Sequence, residues 1–393
     1  MKTIMVIGAG KTQMPLIEAA KKEGYHTVVC DLNPDAPGMA LADEYCKIST
    51  KDRNGLFRTA QEKKIDGILA NSEYAMCDVA FISQELGLVG NPEEAIAILS
   101  SKSKFRTLQK QIGLFAPKVG NGFSFPVIIK PDMNSGTRGT AVANTEAEVD
   151  KAVMACSALS RNGKAIVEEY MTIDLETVIE GEVFIHNGQM LWDGLFRSIR
   201  SKAASMIPMT YVFPLDEEKV EELKDALKAA FQAAGVVHGE YNIEACFADD
   251  RPFIIEINPR QGGNDLPRYV QEHCGIDYSR LLVTTSVGDD GYWKSLAGFV
   301  RDNNRITHHM LYPRKNGRFR GLQIAEEIKG CVSRAQINVG VGDRVEMAED
   351  GLASIGYVDL VFEDEHTQNV SNRLEDLIRI EVDENRTNNG DDS

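Results

Sequence analysis

The run Ile254-Ile255-Glu256-Ile257-Asn258-Pro259-Arg260-Gln261-Gly262-Gly263 holds the residues best suited to chemistry. Read as a strand, it alternates its side chains between two faces. Residues 254, 256 and 258 then share one face, and 255 and 257 the other. Glu256 and Asn258 would sit about 7 Å apart at a rise of ~3.3 Å per residue. The upstream run Tyr241-Asn242-Ile243-Glu244 repeats the pattern on a second strand. Glu244, Glu256 and Asn258 are hard oxygen donors. Two carboxylates and an amide suit Mg²⁺ that also holds phosphate oxygens. Ile254, Ile255 and Ile257 imply an apolar setting, where such acids need a cation and repel each other without one. Arg260 lies just beyond the strand, within reach of a transferring phosphoryl group.

Other polar groups precede this strand. Phe125-Pro-Val-Ile-Ile-Lys130-Pro131 reads as a strand that ends in an ammonium. Asn134-Ser135-Gly136-Thr137-Arg138-Gly139-Thr140 follows, and its small residues let backbone N–H groups approach polyphosphate. Val167-Glu168-Glu169-Tyr170-Met171 ends another strand, with Glu176 beyond it. Cations for an anionic substrate are less well marked. Arg197, Arg200 and Lys202 leave one strand, Arg268 follows the Gly262-Gly263 turn, and Arg314, Arg318 and Arg320 form a basic cluster. Of these, Arg197, Arg268 and Arg318 are taken as the substrate candidates. His308-His309 is no metal pair, because neighbours on a strand face opposite ways.

The elements that must position these groups are legible in outline. Thr3–Ile7, His26–Asp31, Tyr45–Ser49 and Gly67–Ala70 read as strands alternating with helices near Met14–Glu23 and Gly55–Lys63. That rhythm predicts an α/β domain with a parallel sheet. After about residue 110 the pattern becomes α+β, with antiparallel strands over Leu175–His186, Gln189–Ser198 and Thr210–Phe213. Asn187-Gly188 and Asp249-Asp250 mark hairpins. A long helix is expected over Asp216–Ala234, with further helices near Leu266–Gly275 and Ser279–Gly288. Residues 291–382 are strand-rich. Gly8-Ala9-Gly10 sits where a dinucleotide fingerprint would, with Asp31 placed for a ribose. Position 13 is Gln rather than Gly, so these glycines read as a tight strand–helix turn.

Composition bounds the function. The 393 residues carry 43 Lys and Arg against 59 Asp and Glu, a net charge of −16. That balance argues against a nucleic-acid binder that works by neutralising phosphate. No run of 18 apolar residues marks a membrane span, so no membrane partner is expected. Seven scattered cysteines without a CxxC pair rule against a disulfide framework and fit a reducing cytoplasm. The final residues, 383–393, are polar and read as a disordered tail.

Five ordered motifs across residues 102–263 resemble the ATP-grasp superfamily. Within it they are most similar to carboxylate–amine ligases of the L-amino acid ligase and carbamoyl-phosphate synthase type. IEINPRQGG resembles the metal-binding strand, VEEYM the adenine hinge, IIKP with NSGTRGT the phosphate strand and its loop, and SKSKFR a helix start with a phosphate-binding Lys. The resemblance implies a pre-ATP-grasp domain at 1–100, an ATP-grasp domain at 101–290 and a β-rich portion at 291–382 that completes the substrate site. It implies ATP as nucleotide, two Mg²⁺ ions with Mn²⁺ as substitute, and small carboxylate and amine substrates joined through an acyl phosphate. Lys102 and Lys130 would contact phosphates, and Ser135, Gly136 and Gly139 would form the loop closing over them. Glu168, Glu169 and Met171 would line the adenine edge, partly through their backbone, and Glu176 would hold the ribose, with Asp174 as the other choice. Glu244, Glu256 and Asn258 would bind the metals, and Arg260 would be catalytic. An ATP-dependent carboxylase is the other reaction the fold allows, and a homodimer is an allowed assembly.

Overall fold

The computed structural model describes residues 1–134, 138–173, 178–201, 207–215, 220–348, 351 and 353–383. Among these residues the strands form four sheets. The first contains β1 (Thr3–Ile7), β2 (His26–Cys30), β3 (Glu44–Cys46) and β4 (Gly67–Ala70), in the order β3-β2-β1-β4. Every pairing in it is parallel. Strands β1, β2 and β4 are apolar runs rather than alternating ones because helices cover both faces. Those helices include α1 (Met14–Lys22), α2 (Arg53–Lys63) and α3 (Met76–Leu86). The Gly8 turn has φ +92°, and the Gln13 side chain packs over it. Gln13 donates to the Asn71 carbonyl at 2.9 Å, and Asp31 accepts from the Ala9 N–H at 2.9 Å. The turn is therefore filled from within the protein.

Helices α4 (Glu93–Leu99) and α5 (Lys102–Gln111) lead into a small antiparallel sheet. It contains β5 (Val127–Pro131), β6 (Ala141–Ala143) and β7 (Ala165–Glu169) in the order β6-β5-β7, backed by α6 (Glu146–Leu159).

The largest sheet takes β8 (Ile179–His186), β9 (Gln189–Arg200), β10 (Pro208–Phe213), β11 (His238–Ala248), β12 (Arg251–Asn258), β13 (Arg305–Met310), β15 (Val332–Ile337) and β17 (Gly356–Phe362). Their order is β12-β11-β8-β9-β10-β13-β17-β15, antiparallel throughout. Asn187-Gly188 and Asp249-Asp250 turn its two hairpins with positive φ at both positions, as two-residue turns between twisted strands require. Leu223, Leu227 and Phe231 of α7 (Val220–Ala234) pack against one face, on Ile243, Ile254 and Ile257. Tyr269 of α8 (Leu266–Cys274) and Tyr278 of α9 (Tyr278–Ser286) pack on the other, with Phe184, Phe196 and Phe213. A last sheet, β16-β14-β18, joins β14 (Gly317–Ile324), β16 (Arg344–Val345) and β18 (Ile378–Asp383). Asp383 thus closes a strand instead of opening the tail, and the rest of that tail lies outside the described residues. No described helix is long and apolar enough to cross a membrane, and all seven cysteines are free thiols.

Strand β12 departs from the simple alternation. Glu244 pairs with Glu256, but the next residue, Ala245, pairs with Ile254, so Ile255 is a one-residue bulge. The bulge flips the parity of the strand. Ile254 and Ile257 both join the core under α7, while Ile255 and Glu256 both face the cavity described below.

Candidate active site

A cavity of about 350 Å³ lies between the small sheet and the large one. The small-sheet side contributes Ile128, Lys130 and the stretch Glu168–Ile173. The large-sheet side contributes Arg200, Glu244, Ile255 and Glu256. Lys102 reaches in from the first residue of α5. Ser101 caps that helix, its hydroxyl accepting from the Lys104 N–H at 3.3 Å and bonding Asp132 at 2.9 Å.

Glu244 and Glu256 occupy opposing register positions on neighbouring strands, and Asn258 opposes Asn242 one pleat on. Each acid has its own cation. Lys102 Nζ lies 3.0 Å from Glu256 Oε2, and Asn258 Nδ2 donates to Glu256 Oε1 at 2.9 Å. Burial pushes the Glu256 carboxyl up, but Lys102, Asn258 and Arg260 outweigh it and hold it at about 2. Arg200 Nη2 lies 2.6 Å from Glu244 Oε1 and 2.5 Å from Glu180 Oε1. Burial still raises Glu180 to about 7, with Glu244 adding to the effect of burial and Arg200 opposing it. This donor set fits Mg²⁺. Two carboxylates converge with a side-chain amide, and positive charge already sits against both. Among the described residues no three His, Cys, Asp or Glu side chains form a metal cage. Mg²⁺ does not need one, since one or two carboxylates and phosphate oxygens are its usual ligands.

Lys130 Nζ donates to Glu168 Oε2 at 2.8 Å, and Arg106 Nε donates to Glu168 Oε1 at 2.7 Å. Glu168 is 1% exposed, and despite its burial these two cations hold it at about 2. Its carboxylate is therefore a strut under Lys130, while Glu168 is itself among the residues that line the cavity. Glu169 and Met171 line it as well. Gly139 has φ +79°, and a Cβ there would meet Leu159 at 2.6 Å. Ser135, Gly136, Asp174 and Glu176 lie outside the described residues.

Arg260 is not among the cavity-lining residues. Its Nη2 donates to Glu73 Oε1 at 2.9 Å and its Nη1 to the Gln261 carbonyl at 2.7 Å. Glu73, 8% exposed, stands at the C-terminal end of β4, and its carbonyl also accepts from Arg161 Nη1 beside β7. Glu73 was not foreseen. Its one signal was position, since the carboxyl ends of parallel strands are where such sheets meet ligands.

The substrate arginines need correction. Arg197 bonds Asn372 at 2.7 Å, whereas Arg200, three residues on and so on the opposite strand face, enters the cavity. Arg268 stacks on Tyr269 and pairs with Glu272 at 2.8 Å. Arg318 donates to the Gly342 carbonyl at 2.8 Å on β14. None of these three lines the cavity. His308 and His309 face opposite ways as expected, bonding Asp359 and Thr210, each at 2.7 Å.

Two further acids sit behind the metal-type pair on the same sheet face. Glu182 Oε1 accepts from the Gly262 N–H at 2.6 Å, and Glu240 Oε2 accepts from Gln261 at 2.8 Å. Their other oxygens, Glu182 Oε2 and Glu240 Oε1, are buried without such donors. A proton held between the two carboxyls would satisfy both. Burial raises Glu182 to about 7, and burial with Glu182 beside it raises Glu240 well above its ordinary 4.5. A folded state that keeps protons the unfolded chain has released loses stability as pH rises from about 4.5 through about 7. Glu240→Gln removes one such proton while keeping a donor toward Glu182. The variant's melting temperature should fall less than the wild type's between pH 5 and pH 8. Parallel curves would contradict the shared proton.

Comparison with known proteins agrees with this geometry. Residues 123–267 match the ATP-grasp domain family. The carbamoyl phosphate synthase large chain of Thermotoga maritima is 26% identical over 325 residues, 72% of this chain and 28% of that one. The formate-dependent phosphoribosylglycinamide formyltransferase of Synechococcus sp. is 28% identical over 194 residues, 45% of this chain and 50% of its own. The chain therefore spans under a third of the synthase's length. Among solved structures, the L-amino acid ligase from Bacillus licheniformis superposes with a TM-score of 0.78 at 18% identity, covering 98% of this chain and 99% of that one. Phosphoribosylglycinamide synthetase from Anaerococcus prevotii gives 0.72 at 21%, covering 97% and 100%. Residues 123–267 of this chain are therefore an ATP-grasp domain, and the whole chain has the fold of those two structures.

Proposed function

We propose that this protein is an ATP-dependent carboxylate–amine ligase that forms an amide through an acyl phosphate and releases ADP and phosphate. The observation that carries the reading is the opposed pair Glu244 and Glu256, facing Lys102, Lys130 and Arg200 across one cavity. In this reading a substrate carboxylate oxygen attacks the terminal phosphorus of ATP and ADP leaves. The amine nitrogen then attacks the acyl carbon, phosphate departs, and the nitrogen loses a proton. Glu244, Glu256 and Asn258 would hold Mg²⁺, which supplies charge neutralisation on the phosphates. Lys102 and Lys130 would bind phosphate oxygens, with Glu168 fixing the direction of Lys130. The backbone of Glu169 to Met171 would face adenine. Arg260 would steady the phosphoryl oxygens after exchanging its bond to Glu73 for one to them. Arg200, beside the metal-type pair, takes the place of Arg197 as the substrate-side cation. An amino acid is the amine or acid the resemblance favours.

The test is ADP release over a panel of amino acids and small carboxylates, alone and in pairs, with mass detection of the product. A pair-dependent amide supports the ligase. ADP release that needs bicarbonate and yields a carboxylated product would make it a carboxylase instead. Lys130→Ala gives a second check. Glu168 keeps Arg106 as its partner, so folding should hold. ATP binding should weaken about tenfold to a hundredfold, the loss of one charge-assisted contact of about 1.5–3 kcal/mol. Unchanged ATP affinity would remove Lys130 from the phosphate site.

A further inference from the structure

A small cavity of about 40 Å³ lies where α3, the start of β11 and α9 meet. Leu69, Ile96 and Leu282 give it apolar walls, and Ser83, His238 and Glu240 bring polar side chains to it. His238 and Glu240 are two residues apart on β11 and so share a face. Ser83 is 1% exposed, His238 6% and Glu240 3%. Among the described residues, Ser83 Oγ, His238 Nε2 and Glu240 Oε1 have no hydrogen-bond partner. An unpaired buried polar atom is costly, and three around one cavity call for a ligand.

Size and chemistry select that ligand. The cavity is too small for an amino acid or any part of a nucleotide, whereas one water needs only roughly 10–15 Å³. The ligand must also both donate and accept. His238 Nδ1 lies 3.3 Å from His186 Nδ1, so one of the two carries the proton between them. His238 Nε2 is then an acceptor in one neutral tautomer and a donor in the other. Burial, with His186 beside it, keeps His238 neutral by lowering it to about 3. A chloride only accepts and an ammonium only donates. Water does both, as the Ser83 hydroxyl does. The proton that Glu240 would hold with Glu182 leaves Oε1 a second lone pair for the water.

The partners on either side give the water a use. His186 Nε2 lies 2.9 Å from Asp290 Oδ1, and the Asp290 side chain is 32% exposed. On the other side, Glu182 Oε1 accepts from the Gly262 N–H, two residues beyond Arg260. We propose that this cavity binds water, and that the water joins the Glu240–Glu182 pair to the His238–His186 pair as a proton line to solvent at Asp290. Along it, Glu240 gives a proton to the water as the water gives one to His238 Nε2. His238 passes its Nδ1 proton to His186 Nδ1, and His186 passes its Nε2 proton to Asp290, which releases it to solvent. One proton leaves the acid pair, and each carrier ends with as many as it had. The line goes beyond the ligase reading and does not rest on it, because no step uses nucleotide or metal.

Two measurements test it. A high-resolution crystal structure, from crystals grown without ammonium salts, should show water within hydrogen-bond reach of His238 Nε2 and Glu240 Oε1. No water there, or density only from crystals grown with ammonium, overturns the proposal. The second measurement follows the infrared C=O stretch of the protonated carboxyl, identified by its loss in Glu240→Gln, after transfer to D2O. In His238→Phe the proton leaves only when the fold opens locally, so exchange should slow at least about tenfold. His238→Gln keeps a polar atom toward the water and should exchange like the wild type. Ser83→Ala removes one partner of the water with little change in packing, and it should slow exchange too. Equal exchange in wild type, His238→Phe and Ser83→Ala overturns the line. Should His238→Phe fail to fold, the wild-type water and the Ser83→Ala rate still decide. A line that passes both measurements in a protein that releases no ADP with any substrate pair keeps this inference and removes the ligase reading.

Discussion

Arg106→Met should destabilise the protein by about 3–5 kcal/mol, the cost of stripping one partner from a buried ion pair. Arg106 is 4% exposed, and every face of its guanidinium is used. Nε donates to Glu168 at 2.7 Å, Nη1 to Gln109 at 2.7 Å, and Nη2 to the Ile255 carbonyl at 2.9 Å. Nη1 also reaches the Ile254 carbonyl at 3.3 Å, and the plane sits 5.3 Å from the Phe253 ring centre. Those carbonyls belong to the bulge on β12, where the ladder is interrupted. Arg106 thus holds two things in place: the bulge that turns Glu256 into the cavity, and the carboxylate that holds Lys130. Urea unfolding monitored by fluorescence measures the loss. Glu168→Gln in the same background should cost less than it does alone, because the two residues share one network. A midpoint for Arg106→Met within error of wild type would show that the bulge carbonyls have other support.

That residue also shows where reading the sequence stops. The strand–helix alternation of the first hundred residues, the two hairpin turns and the acid-bearing strands were legible, because each depends on local period and turn chemistry. The bulge at Ile255 was not. A one-residue slip is set by the partner strand, and it reversed the predicted facing of Ile254. Arg106 lay within a quoted motif, yet its targets are 62 and 149 residues away in sequence. The choice of Arg197 over Arg200 failed for a related reason. Both sit on one strand three residues apart, and only the register of β9 on β8 and β10 decides which faces the acids. Glu73 meets Arg260 across 187 residues, a distance over which no spacing rule operates.

Glu256→Gln should lower turnover at saturating substrates by at least ~100-fold, as the loss of one preorganised charge does. Its effect on folding reverses what the sequence suggests. Two acids on adjacent strands read as mutual repulsion, so neutralising one should help. In the structure Glu244 faces Arg200 while Glu256 faces Lys102, and each acid is a stabilising partner. Gln at 256 leaves the Lys102 ammonium without its counter-charge, at a cost of about 1–3 kcal/mol. The sign with pH follows from the depressed carboxyl. Glu256 is held at about 2 against an ordinary 4.5, so its stabilisation is present above 4.5 and is lost as pH falls toward 2. The stability gap between wild type and variant should therefore be full at pH 7 and narrower at pH 3, in buffer without Mg²⁺. The same contact bears on how a metal would enter. Glu256 would hold the divalent ion, and Lys102, giving up its carboxylate partner, would then be available to a phosphate oxygen. Metal and lysine are then coupled through one acid, and ATP–Mg²⁺ should raise the melting temperature of wild type but not of the variant. A stable variant within a few-fold of wild-type turnover would remove Glu256 from the metal site and leave Lys102 as its permanent partner.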